Sequence, residues 1–212
     1  MKRVCLVALL AGIGMTGQIA FAAALAVRVV GLDGAAVADA AVVADPMAKA
    51  IPNKRASAIV EQRDRELIPY LTIVRSGTAI EFPNRDPIKH HLYSFSPAKP
   101  FEIKLYAGKP MQPVIFDKPG EVALGCNIHD WMEAYVYVVD SPYFAKTGAS
   151  GEATLEGIPP GQYQVRLWHP RLKRPLAPRQ LTLSDDSHKL DLVLDVAPRI
   201  AKVKPPADAS QY

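Results

Sequence analysis

The chain has 212 residues, 49% of them hydrophobic, which is room for one large or two small domains with a real core. Lys and Arg outnumber Asp and Glu by 25 to 21, a formal net charge of +4, and no basic stripe with interleaved aromatics occurs. That balance gives no footing for nucleic-acid binding.

Residues 1–22 read as a secretory signal peptide. Lys2 and Arg3 form a positive n-region, Val4 to Ala11 an apolar h-region, and Ala20-Phe21-Ala22 a small-x-small cleavage site. The alternative, a membrane anchor, needs about 20 consecutive apolar residues, and this run falls short. Cys5 stands too early for a lipoprotein cleavage site. Export to the periplasm follows, with no membrane attachment after processing. The leader holds two of the 25 basic residues and no acidic one, so the mature chain carries 23 against 21, or +2. It also keeps one thiol, Cys126. A lone exported cysteine has no internal disulfide partner, so it is either buried and inert or held by something.

Between Ala24 and Ala44, two apolar runs flank Gly31-Leu32-Asp33-Gly34 and read as a β-hairpin. Met47 to Ser57 reads as a surface loop. Residues 57–140 behave as one block of short strands: Ile59–Gln62, Leu67–Val74 with Pro69 as an edge or bulge residue, Ala79–Phe82, His91–Phe95, Phe101–Tyr106 and Val114–Phe116. In Phe101–Tyr106 the alternation puts Ile103 and Leu105 on one face. Strands spaced about 8–12 residues apart, with turn signals between them, predict a β-sandwich. After Ser141, Gly turns and the I-P-P-G stretch separate Thr147–Pro160, Gly161–Pro170, Leu181–Leu183 and Leu190–Val196. Ala197 onward is Pro-, Lys- and Ala-rich, and residues 198–212 read as a disordered tail. No stretch carries a helical stripe, so the fold class is all-β.

The chemistry gathers at Gly125–Met132, GCNIHDWM, where Cys126, His129 and Met132 are spaced C-x2-H-x2-M between two strand-like runs. Upstream, His90 and His91 open another strand. Two imidazoles, one thiolate and a weak axial thioether are the donor set of a mononuclear blue copper electron-transfer site. Adjacent strand residues point to opposite faces, so only one of His90 and His91 reaches such a site. Trp131, between two ligands, reads as a shield for the metal, an apolar docking surface or ordinary packing. His169 and His188 stand alone and read as surface histidines.

In these residues the chain resembles the cupredoxins, in particular the plastocyanin-like proteins of the methylamine-utilisation type; the ligand loop is spaced as in amicyanin. The matching pieces are SGTAIEFPNRD, HHLYSFSPAKPFEIKLYAG, FDKPGEVALGCNIHDWM and YVYVVDSPYF. The resemblance implies a Greek-key β-sandwich with one type 1 copper held by His90, Cys126, His129 and Met132. Family members read His-Asn where this chain reads His90-His91, which implies His90 as the ligand and His91 at the position whose Asn ties the two ligand loops together. Asn84 matches a family asparagine in F-x-N, and is equally a turn residue.

The N-terminal stretch VRVVGLDGAAVADAAVV and the region after Ser141 resemble the two parts of a transthyretin-like, carboxypeptidase-regulatory-type β-sandwich. This reading makes residues 24–52 and 141–197 one discontinuous module with the cupredoxin domain, 57–140, inserted; the rival has the N-terminal hairpin covering the 57–140 sandwich, with the C-terminal region folding alone. Functionally, the resemblance implies a monomeric periplasmic electron carrier, not an enzyme, working with redox protein partners such as a cytochrome or dehydrogenase. The alternatives are a copper-handling protein without a shuttle role and a non-redox binding module.

Overall fold

The computed structural model describes residues 23–48, 51–52, 56–110 and 112–200; the leader 1–22 and the tail from 201 lie outside the described residues. Among the described residues every regular element is a β-strand. In chain order they are β1 (Ala23–Gly31), β2 (Ala41–Pro46), β3 (Ser57–Ile59), β4 (Glu61–Arg63), β5 (Glu66–Ile68), β6 (Leu71–Arg75), β7 (Thr78–Glu81), β8 (His90–Ser94) and β9 (Phe101–Tyr106). There follow β10 (Val114–Phe116), β11 (Gly120–Gly125), β12 (Glu133–Val139), β13 (Tyr143–Lys146), β14 (Glu152–Ile158), β15 (Gly161–Trp168), β16 (Arg179–Leu183) and β17 (His188–Leu194).

The apolar pattern decides where each strand sits. Alternating strings such as β14 and β17 turn Ala153, Leu155, Leu190, Leu192 and Leu194 inward and leave Thr154 and Asp191 in water. Continuous strings become strands buried on both faces. β2 and β12 are of this kind.

Strands from both ends of the chain share two sheets. β1 is antiparallel to β14 and parallel to β17, giving the order β14-β1-β17. Facing it is the antiparallel sheet β13-β2-β15-β16. Leu25, Val27, Val29, Val42, Leu155, Val165 and Leu194 fill the space between. The predicted N-terminal hairpin therefore does not form: β1 and β2 stand in different sheets, and the segment between them arches across with Val37 and Ala40 in the core. A two-stranded hairpin would leave Val27, Val29 and Val42 on an uncovered face, whereas opposite sheets bury them against each other.

Between β2 and β13 the chain builds the five-stranded sheet β6-β12-β11-β8-β9, the three-stranded sheet β10-β7-β3 and the short β4–β5 hairpin. Ile80, Phe82, Leu92, Phe116, Val122, Leu124, Val136 and Val138 form their common core. β2 and β12 make the seam between this sandwich and the first. Ala41 and Val43 pack there with Leu71, Tyr137 and Val139, and full burial of residues such as these is worth about 1.5–3 kcal/mol each for the larger ones. Trp168 stacks on Tyr137 at 4.7 Å and donates Nε1–H to Glu121 at 2.8 Å.

Three local expectations are corrected. The run Leu67–Val74 divides at Pro69, which has no N–H to give a ladder, into β5 and β6. In β9 the alternation breaks: Leu92 faces Ile103 but His90 faces Tyr106, so the strand carries a bulge. Leu105 is thereby turned out, 55% exposed, and Tyr106 turned in. His169 is not at the surface but 1% exposed, its Nδ1 accepting the Arg171 N–H at 3.0 Å. Burial, with the Arg171 charge adding to it, pushes its pKa down to about 4, so the ring is neutral. His188 is partly exposed, its Nε2 accepting the Ser184 N–H at 3.0 Å. Of the tail, Arg199 is ordered against Tyr70, its guanidinium 4.5 Å from the ring centroid.

Candidate metal centre

β11 and β12 pair antiparallel up to Gly125 opposite Glu133, and residues 126–132 close the loop between them. The Cys126 N–H donates to the Met132 carbonyl at 3.3 Å, and the Met132 N–H to the His129 carbonyl at 3.0 Å. These bonds fold the loop so that Cys126, His129 and Met132 point into the sandwich, each less than a tenth exposed, while Asn127, Ile128 and Asp130 face water. β8 reaches β11 with Tyr93 opposite Gly125. A Cβ on Gly125 would lie 3.0 Å from the Tyr93 ring, so any larger residue there would need the ring to give by a few tenths of an ångström; glycine allows the close approach of β8 and β11.

His90, at the start of β8, completes a cluster. Its Nδ1 lies 3.1 Å from the Nδ1 of His129, and that atom lies 3.7 Å from the Cys126 sulfur. The three donor atoms are all within 4.8 Å of one another. Met132, 2% exposed, ends the same loop and borders, with Cys126, a surface cleft of about 550 Å³. His91 is outside the cluster: its Nε2 meets Glu102 Oε1 at 2.9 Å on the other side of the strand.

The remaining nitrogen of His90 is also held. Nε2 lies 2.7 Å from Asp86 Oδ2, and Asp86 accepts the N–H groups of Asp64 at 2.6 Å and Arg65 at 2.9 Å. Asp64 and Arg65 form the tight turn of the β4–β5 hairpin with φ of 54° and 56°. Two consecutive left-handed residues are what a type I′ hairpin turn demands, and Arg in the second place, where Gly is usual, costs on the order of 1 kcal/mol. The turn aims successive N–H groups at one carboxylate. Its Arg65 carbonyl accepts the Trp131 Nε1–H at 3.0 Å, and the Trp131 ring stands 5.0 Å from that of His129. One turn thus touches both segments that carry the candidate ligands.

Behind His90, the bulge brings Tyr106 inward. Its hydroxyl donates to the Phe82 carbonyl at 2.8 Å and accepts from Gln62 Nε2. Asn84 is both turn residue and tie: Oδ1 accepts the Asp86 N–H at 2.9 Å, and Nδ2 donates to the carbonyls of Ile88 at 2.8 Å and Tyr106 at 2.9 Å.

The electrostatics favour a thiolate. Burial opposes ionisation of Cys126, but hydrogen bonding to His90 and from the N–H groups of Ile128 and His91 outweighs it and lowers the thiol pKa. Burial likewise opposes a charge on His90 and is outweighed by Cys126 and Asp86, which raise its pKa. For Asp86, burial is overcome by the Arg65 N–H and His90, so its pKa is lowered. His129 is lowered by burial and by the neighbouring charges of His90 and Arg65, which keeps it neutral. A lowered thiol and a neutral imidazole are the forms in which these groups bind metal ions.

Four participants escape the sequence reading: Asp86, the Asp64-Arg65 turn, Tyr106 and Gln62. The one available signal is Asp86, four residues before a candidate ligand in a loop already rich in turn residues.

No protein-family model matches the chain, and neither does any curated protein. Among solved structures it is similar to a copper-containing nitrite reductase from Thermus scotoductus, at 23% identity and a TM-score of 0.36, over 45% of this chain and 25% of that one. The chain thus spans a quarter of that reductase's length. It is also similar to a purple cupredoxin from Nitrosopumilus maritimus, at 19% identity and 0.34, over 40% of this chain and 99% of that one. An amicyanin from Paracoccus versutus follows at 13% identity and 0.33, over 42% and 85%.

Proposed function

We propose that this chain is a periplasmic blue copper protein that carries single electrons between redox protein partners. The reading rests on one observation: two imidazole Nδ1 atoms and one cysteine sulfur converge within 4.8 Å, all buried, on a loop that ends in a buried methionine. The donors fit the ion, because thiolate and thioether suit Cu(I) while imidazole serves both oxidation states. His90, Cys126 and His129 would be the strong ligands and Met132 a weak one; a copper ion held there would supply a one-electron Cu(I)/Cu(II) couple. The chain's own part is to hold the donors still. Asp86 fixes the His90 ring through Nε2, and the β4–β5 turn fixes Asp86 and Trp131 together. Export through the 1–22 leader, the inserted cupredoxin domain over 57–140 within a carboxypeptidase-regulatory-like module, and a link to methylamine utilisation belong to the same reading. It makes the protein a carrier and not an enzyme.

The test is the absorption spectrum of the mature protein with Cu(II). The wild type turns intensely blue with one copper bound, and Cys126→Ser and His90→Ala lose the band while His91→Ala keeps it. A colourless wild type, or a blue serine variant, ends the reading. A blue protein that fails to exchange electrons rapidly with a cytochrome c is a copper-handling protein instead.

A further inference from the structure

Away from the candidate metal centre, a cleft of about 540 Å³ opens at one end of the first sandwich. Its walls are the segment between β1 and β2, Tyr70 from the β5–β6 turn, Arg171 and Lys173 after β15, and residues 194–199 after β17. The carboxylates in this lining are already engaged. Asp39 holds Lys146 at 3.2 Å, Asp195 holds Lys173 at 3.0 Å, and Asp33 Oδ1 accepts the Ala35 N–H at 3.0 Å. The guanidiniums are not: among the described residues, neither Arg171 nor Arg199 has a carboxylate partner. Arg171 gives Nη1 to the Ala197 carbonyl, but its Nε is buried with nothing to donate to. Arg199 lies over the Tyr70 ring, and the Tyr70 hydroxyl is likewise buried without a partner. Burial, with the charges of Glu133 and Asp39 adding to it, pushes the Tyr70 pKa up against the pull of both arginines, so the hydroxyl keeps its proton.

We propose that this cleft binds a small molecule with an oxyanion head, a carboxylate or phosphate, held by Arg171, Arg199 and Tyr70. Buried donors without acceptors are rare in folded proteins, and here two of them belong to residues that converge on one cleft. A planar guanidinium is the side chain that best matches a carboxylate or phosphate, and a tyrosine O–H adds a neutral donor. A water molecule would satisfy the orphaned N–H or O–H but would leave both guanidiniums without a carboxylate or phosphate partner. The volume far exceeds a bare oxyanion and lies within the roughly 300–1,000 Å³ of small-molecule sites. The ligand therefore has an organic body, and Val37, Val196 and Pro198 in the lining receive it. Nothing in this assignment depends on copper.

The test is a titration of the full mature chain, labelled with 15N, following the Arg171 Nε–H cross-peak. The probes are citrate and inorganic phosphate, with sodium chloride at matched ionic strength as control. The cross-peak moves saturably with citrate or phosphate and not with chloride. Arg199→Ala and Tyr70→Phe each raise the midpoint about tenfold, the loss of one hydrogen bond to a charged group. Arg171→Lys, which keeps the charge and loses the fork, raises it as well, read from the Tyr70 ring resonances. The probe that saturates at the lower concentration identifies the head group. The proposal is overturned if neither probe gives saturation, if chloride gives the same shift, or if the two variants leave the midpoint unchanged. Tyr70→Phe keeps the ring and its contact with Arg199, so folding does not confound the result.

Discussion

In the sandwich of β1, β2 and β13–β17, the interior is mostly Leu, Val, Ile and Ala; its buried polar groups include His169 and the hydroxyls of Ser141, Thr147 and Tyr163, each hydroxyl bonded to a backbone carbonyl. Thr147 Oγ1 accepts the Ala40 N–H at 2.8 Å and donates to the Val37 carbonyl at 2.7 Å. In the sandwich of β3–β12, the interior is equally apolar at one end, around Phe82 and Phe116. At the other it holds His90, His129, Gln62, Asn84 and Cys126. Burying so many polar atoms is unfavourable unless each finds a partner. Most of the partners are supplied by Asp86, four residues before His90, and by the Asp64-Arg65 turn and Tyr106, which are farther along the chain; Gln62 Oε1 is left without one. The first sandwich can thus be read as support and the second as the seat of chemistry. The seam places the two-faced strand β12, which leaves the candidate metal loop, against the first sandwich.

The strongest way to break this contrast is to weaken the support and watch the site. Leu25 is fully buried in the first core. Leu25→Ala costs about 2–5 kcal/mol, through lost transfer energy and a cavity. Because the seam joins the cores, unfolding by urea should remain one transition. In a Trp168→Phe background, Trp131 is the remaining tryptophan and sits beside His129. Its fluorescence midpoint should fall with the far-UV circular dichroism. A Trp131 midpoint that stays put while the dichroism splits would mean that the two sandwiches fold independently.

Buried histidines sharpen the contrast through pH. His169, in the first sandwich, is held near 4 against an ordinary 6.5. Above pH 6.5 it contributes no pH dependence. As pH falls from 6.5 towards 4, the unfolded chain takes a proton that the folded chain refuses, and stability falls; below 4 the loss is complete. At about 1.36 kcal/mol per pH unit the full loss is on the order of 3 kcal/mol. His90 in the metal-free protein behaves oppositely: its raised pKa contributes stability below about 6.5, and this is lost as pH rises through the folded value. Urea titrations at pH 7 and 4.5 should show a smaller acid-side loss in His169→Gln than in the wild type. An equal loss in both would remove His169 from the account.

A smaller effect isolates the polar end. Asp86→Asn keeps the shape but loses the charge that orients His90, so copper affinity should fall about 10- to 100-fold, or 1.4–2.7 kcal/mol. Asp45→Asn is the control from the other sandwich. It breaks the pair with Arg166 at 2.5 Å and should lower stability without touching affinity. Competition with a copper chelator reads both. Equal affinities for Asp86→Asn and the wild type would make Asp86 a packing residue only.

The same contrast explains what could be read from the sequence. Strand alternation and turn residues mark most strands, because a half-buried strand must alternate. The C-x2-H-x2-M loop nominates Cys126, His129 and Met132 through donor chemistry alone, and the structure gathers His90 with two of them. Asp86 was hidden because its role exists only once the Asp64-Arg65 turn folds onto it. His169 was hidden because burial of a lone imidazole leaves no local pattern. β1 and β2 pass for a hairpin because a D-G turn between apolar runs looks the same whether the strands pair or arch between sheets. β13 was not anticipated, since Pro142 and Ser141 mark an exit and the short Tyr143–Lys146 run follows at once.

The smallest expected effect concerns the bulge in β9, because it is what turns Tyr106 towards His90. By simple alternation, Ile103 and Leu105 would share the buried face, and a lysine at either would be equally harmful. With the bulge, Ile103 stays over the Phe82–Phe116 core while Leu105 is 55% exposed. Leu105→Lys should then change stability by less than about 0.5 kcal/mol, as at most surface positions. Ile103→Lys, which presses a charged head against that core, should cost several times more. Urea midpoints of the two variants decide the matter. Comparable losses would mean that β9 runs without the bulge, that Tyr106 faces out, and that the polar end of the second sandwich lacks its link through Phe82 and Gln62.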